Sequence, residues 1–214
     1  MKSSKVLLLV LMFVFLYSIS VHAFDLGKVF KESYRAEALK KTVQAIKIMD
    51  KSIAQKDNLS KTSKYAIEMR LAHLNNLLRK SDLTEKHYLQ AAKLMYNAVE
   101  PLQHLEYLYL TQKNWKKLQK AVKRTFKIDP KNKTSMTRLA FSYYSMKKYK
   151  KAGVEYKKIL KLYPLDLGIR AMVGWSYAYA KKKKEALRAF NVVIEFSPFY
   201  LSAKRGIMFL KKQK

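Results

Sequence analysis

The sequence predicts an all-α protein built as a helical-repeat solenoid, and three observations carry that prediction. Pro164 follows Pro130 at the same interval as Pro198 follows Pro164, and a fixed period of about 34 residues marks stacked helical hairpins. Between those prolines, small and aromatic residues recur in register. Only five Gly and four Pro occur in 214 residues that are 49% apolar, which argues against disorder and against a turn-rich β protein.

Residues 1–23 read as a secretory signal. Lys2 and Lys5 form a basic start, Val6 to Leu16 is an unbroken apolar run, and Val21-His22-Ala23 is a small-residue cleavage pattern. Cleavage is expected between Ala23 and Phe24. An uncleaved anchor is the weaker alternative, because the apolar stretch falls short of the roughly 20 residues a spanning helix needs. The chain has no Cys, so a lipoprotein anchor, a disulfide framework and thiolate metal sites are all excluded. A bacterial periplasm or secretion is the expected destination, and a eukaryotic secretory lumen fits the short signal less well.

Charge is the second unusual feature. The chain carries 45 Lys and Arg against 15 Asp and Glu. Residues 24–112 hold 15 basic and 10 acidic side chains, whereas residues 113–214 hold 28 and 5. The field, and any partner it attracts, therefore belongs to the C-terminal half.

From residue 24 the elements run in order. Phe30 to Gln55 reads as one long amphipathic helix, followed by a polar break at Lys56 to Ser60. Tyr65 to Asn97 reads as two helices broken at Ser81-Asp82-Leu83-Thr84. Three windows then align: Val99–Pro130, Lys133–Pro164 and Leu167–Pro198. The last shows Val173-Gly174, Tyr177, Ala186, Phe190 and Pro198. The middle one shows Leu139-Ala140, Tyr143, Ala152, Tyr156 and Pro164, and the first Leu105, Tyr109, Leu118, Val122 and Pro130. Tyr200 to Lys212 reads as a closing helix that gives the array a solvated end.

These windows resemble the tetratricopeptide repeat, with its pattern W-x2-L-G-x2-Y…A-x3-F…P. The consensus Trp is replaced by Leu102, Met136 and Arg170, and Glu106 stands where a small residue belongs. Residues 65–97 match as a degenerate fourth unit, with Asn75, Thr84 and Tyr96 in place of Tyr, Ala and Pro. The resemblance implies a right-handed solenoid of helix-turn-helix units. The organisation is then a signal at 1–23, an N-terminal helical region at 24–98, three repeats at 99–198, and a capping helix with a basic tail at 199–214.

The resemblance also implies a concave groove lined by one stripe of each first helix. Here that stripe holds Tyr107, Phe141, Tyr144, Trp175 and Tyr179, with His104 and Arg138 alongside. It is aromatic and nearly uncharged, so an apolar or aromatic peptide segment suits it better than a C-terminal carboxylate. The same side chains would also serve as packing between repeats. The lysines cluster elsewhere, at the turn inside each repeat: Lys116 and Lys117; Lys147, Lys148, Lys150 and Lys151; Lys181, Lys182, Lys183 and Lys184. Stacked at the repeat period they would form a basic ridge suited to a polyanion.

No phosphate-binding loop, nucleophile elbow or zinc-protease motif occurs. His73, His87 and His104 lack metal-ligand spacing, and the carboxylates of the C-terminal half are scattered. A non-enzymatic scaffold follows, with no cofactor, no metal and no small-molecule substrate. Another protein is the expected partner. An anionic envelope polymer or membrane surface is the alternative, and export disfavours nucleic acid.

Overall fold

A computed structural model of the chain describes residues 25–54 and 59–212. The secretory start and its cleavage point lie outside these residues. Among the described residues every regular element is a helix, and no helix is long and apolar enough to cross a membrane. The chain divides into two compact units, residues 1–58 and 59–214.

The first unit contains α1 (Leu26–Ala38) and α2 (Thr42–Ala54). The single long helix expected over 30–55 is therefore a hairpin. Lys40 takes a left-handed backbone, φ 58°. The Lys40 N–H donates to the Glu37 carbonyl, and the Lys41 N–H reaches back to Ala36, each at 2.8 Å. This closes the orphan carbonyls of α1 as a left-handed C-terminal cap does. Neither Gly nor Pro marks the break, so hydrophobic periodicity runs through it unbroken.

The second unit stacks α3 (Lys61–Leu77), α4 (Ser81–Leu94), α5 (Glu100–Thr111), α6 (Trp115–Ile128), α7 (Lys133–Ser145), α8 (Tyr149–Leu162), α9 (Leu167–Tyr179), α10 (Lys183–Phe196) and α11 (Leu201–Lys212). Each helix packs on the next, and α3–α4, α5–α6, α7–α8 and α9–α10 are hairpins. Their first helices begin at side-chain caps where the sequence supplies one. Ser60, Asn132 and Asp166 accept from the N–H three residues on, at 3.0, 3.0 and 2.9 Å. Pro101 sits in the first turn of α5, where its missing N–H costs nothing. Pro130, Pro164 and Pro198 each follow the end of a second helix by two residues, as helix stops should.

Four turns of one geometry close these hairpins. Arg79, Lys113, Lys147 and Lys181 all have φ between 55° and 59°, and they recur at the interval of the prolines. After each, the next N–H donates back to the carbonyl five residues earlier: Lys80 to Asn75, Asn114 to Tyr109, Lys148 to Tyr143 and Lys182 to Tyr177. Glycine is usual at this position, and a left-handed L-residue costs about 1–2 kcal/mol. A cation at a helix C-terminus recovers about 0.3–1 kcal/mol of that through the helix dipole.

First helices also touch the next first helices, α5 with α7 and α9 with α11, whereas among the described residues no comparable packing joins second helices. The first helices therefore form the inner layer of the array. Small-to-large contacts hold the last hairpin and the closing helix together. Gly174 of α9 and Gly206 of α11 both lie so close to the Phe190 ring that a Cβ at either position would overlap it. Phe190 is fully buried between them.

Candidate functional site

The inner layer carries one aromatic residue per first helix at the same register. His73, Tyr107, Phe141, Trp175 and Phe209 occupy equivalent places, one repeat apart, on α3, α5, α7, α9 and α11. Each of these rungs is at least partly open to solvent. Tyr107 is 55% exposed and Phe141 40%. At the C-terminal end the rungs meet. Trp175 and Phe209 lie 5.7 Å apart, and the Trp175 indole N–H donates to Ser202 Oγ at 2.9 Å. Phe209 escapes a sequence reading that treats residues 200–212 only as a cap. Extending the repeat register from Trp175 by one step finds it.

Tyr144 and Tyr179 sit at the turn end of their helices and join a third ring, Tyr149 of α8. Tyr149 stacks on Tyr179 at 5.1 Å, while Tyr144 meets both edge-on at 5.4 and 6.0 Å. Burial pushes the Tyr144 phenol up to about 12, helped by its two tyrosine neighbours, so it stays a neutral donor at any physiological pH. Tyr149 belongs to this cluster although the first-helix stripe does not include it. Its one sequence signal is Trp115, which holds the same place one repeat earlier.

The two polar candidates are engaged with the scaffold. The Arg138 Nη1 donates to the Gln103 carbonyl at 2.7 Å and to Glu106 Oε2 at 3.1 Å, and the guanidinium lies 6.0 Å from the Tyr107 ring centre. His104 stacks flat on Tyr88 at 4.8 Å. Burial lowers the His104 pKa, as do Arg138 and His73, against the opposing pull of Glu100. At neutral pH it is an uncharged ring in an aromatic pair.

The lysines fall on a different surface. Lys116, Lys117, Lys147, Lys148, Lys150, Lys151 and Lys181 to Lys184 are all exposed, and they gather where the four left-handed turns lie along one edge. Arg79 and Lys113 extend that edge beyond the residues read from the clusters. Lys117 is tied to Glu85 at 2.8 Å and Lys182 to Glu185 at 3.4 Å. Lys147, Lys148, Lys150 and Lys151 surround a shallow cavity of about 440 Å³ with Tyr149 and Ala180, so edge and aromatic cluster adjoin there. Among the described residues no group of three His, Asp or Glu is placed to hold a metal.

A tetratricopeptide-repeat family model matches residues 134–166, the α7–α8 hairpin and its flanks, and the same backbone turn recurs in every hairpin of the unit. The α7–α8 hairpin matches a tetratricopeptide repeat, and the stacked hairpins have the fold of tetratricopeptide repeat proteins. Solved structures agree on the fold. A tetratricopeptide repeat protein from Parabacteroides merdae superposes with a TM-score of 0.72 at 16% identity, over 86% of this chain and 72% of that one. MamA gives 0.66 at 15% identity, over 79% and 90%. YrrB, a tetratricopeptide repeat protein with an unusual peptide-binding site, gives 0.67 at 12% identity, over 91% and 97%. At these identities the likeness is one of fold. No curated protein matches the chain. Repeat proteins of this fold are in general interaction scaffolds.

Proposed function

We propose that the chain is an exported, non-enzymatic scaffold that binds another protein through an apolar or aromatic segment laid along the inner layer. The supporting observation is the ladder of aromatic rungs at the repeat period, with Tyr107 and Phe141 left open to solvent. Rings of this size contribute large contact area at low entropic cost. Arg138 is engaged by Glu106, which speaks against a clamp for a terminal carboxylate. Export rests on Lys2, Lys5, the apolar run to Leu16 and the Val21-His22-Ala23 pattern.

A second reading, docking of a polyanion along the basic edge, draws support from the row of cations at the left-handed turns. Capture of partners from the exported fraction across a salt series separates the two. A discrete protein held at high salt and lost with Tyr107→Ala/Phe141→Ala supports the groove. Capture that disappears with salt and is indifferent to that variant supports the edge and overturns the groove.

A further inference from the structure

The C-terminal helix carries a second surface, independent of the groove. At 3.6 residues per turn, Leu201, Lys204, Arg205, Met208 and Lys212 lie on one side of α11. Ala203, Gly206 and Leu210 lie on the other and are buried. The outward side is exposed throughout: Leu201 is 58% and Met208 54% open to solvent. Phe199, just before the helix, is 87% exposed. The Lys204 ammonium lies over its ring at 5.0 Å, which places Phe199 on this same side. No Asp or Glu occurs from Phe196 to the end of the sequence, against five Lys and Arg.

We infer that this face docks on an anionic lipid surface. Apolar side chains interspersed with cations are the composition of helices that lie at a membrane interface, the apolar groups entering the headgroup boundary and the cations meeting lipid charge. A protein-binding patch would have a different make-up, because interface centres are depleted in Lys. The cations here are mostly Lys, compact charges suited to diffuse attraction to a charged plane. Not every exposed apolar residue has this setting. Leu165, for example, adjoins Asp166, whose carboxylate is paired with Lys133 at 2.8 Å.

The test is binding of the full chain to vesicles of phosphatidylcholine alone and of equal parts phosphatidylcholine and phosphatidylglycerol. The apolar run at residues 6–16 is common to all variants, so differences between variants report the C-terminal face. Each cation near an anionic surface strengthens binding about fivefold. Lys204→Gln/Arg205→Gln should therefore bind the anionic vesicles roughly 25-fold more weakly, with neutral vesicles unaffected. Phe199→Ser should lose roughly tenfold on the same vesicles. Lys147→Gln/Lys148→Gln removes the same charge from the basic edge and should lose much less. Unchanged binding in the α11 variants, or an equal loss in the edge variant, overturns the inference. So does a Phe199→Ser variant whose only change is loss of self-association in sedimentation, which would make a second copy the occupant. Helix content and melting temperature of each variant establish that it is folded.

Discussion

The α5–α6 and α9–α10 hairpins share a turn and a register, yet fill the space between their helices by opposite means. In α9–α10, Gly174 makes room for the whole ring of Phe190. In α5–α6 the equivalent pair is Glu106 and Val122. The smaller Val122 leaves space for a carboxylate, and Glu106 is fully buried. It accepts from Thr125 Oγ1 at 2.6 Å, from Ser135 Oγ at 2.8 Å and from Arg138 Nη1 at 3.1 Å. Volume is conserved along the array while chemistry is not. A polar solution is satisfactory only if every lone pair finds a donor, and it then ties α5 to both α6 and α7. The glycine solution ties α9 to α10, and α11 to α10, by shape alone.

Removing the carboxylate should break this comparison most sharply. Glu106→Ala leaves Arg138, Ser135 and Thr125 without their shared acceptor and should cost about 3–5 kcal/mol in urea unfolding. Glu106→Gln, which keeps the shape, should cost less. A loss under about 1 kcal/mol for the alanine variant would show the network to be incidental.

The shape-based half should respond to a single methyl group. Gly174→Ala is expected to cost about 1–3 kcal/mol by overpacking Phe190. Combining it with Phe190→Leu should cost less than the two separate losses summed, because one steric conflict underlies both. Additive losses would place the constraint elsewhere.

The smallest expected effect is one of pH, and it belongs to the N-terminal repeats. His104 in the unfolded chain titrates near 6.5, and burial lowers that value in the fold. Below that pH the unfolded state takes up a proton that the folded state resists, so stability falls with acidification until the folded value is passed. His104→Gln should flatten this slope in melting temperature between neutral and mildly acid pH. An unaltered slope would exonerate the Tyr88 stack.

The repeats were legible in the sequence because their signals are chemical. Proline stops, small residues and aromatic partners recur at one interval whatever the surroundings. Two features were not. The α1–α2 hairpin reads as one helix because its turn residue is Lys40, and lysine carries no turn signal when glycine is the expected occupant. The turn residues of the second unit, Arg79, Lys113, Lys147 and Lys181, carry no turn signal either, but there the repeat register places the turns. At the site, the stripe containing Tyr107, Phe141 and Trp175 follows from periodicity alone. The engagement of Arg138 does not, since it depends on Glu106 being buried in a neighbouring helix, a tertiary fact with no local trace. Phe209 was within reach of the same register, one repeat further on.

The basic residues at the turns also give each hairpin its own proteolytic reporter. Trypsin cleaves after Lys and Arg, and every turn presents one, but a substrate must open over several residues to enter the protease. While the back-bonds from Lys80, Asn114, Lys148 and Lys182 hold, those peptide bonds stay closed. Cleavage at a given turn then measures how often that one hairpin opens. Since each repeat contacts only its neighbours, the order in which the turns are cut records the stability of the array one hairpin at a time.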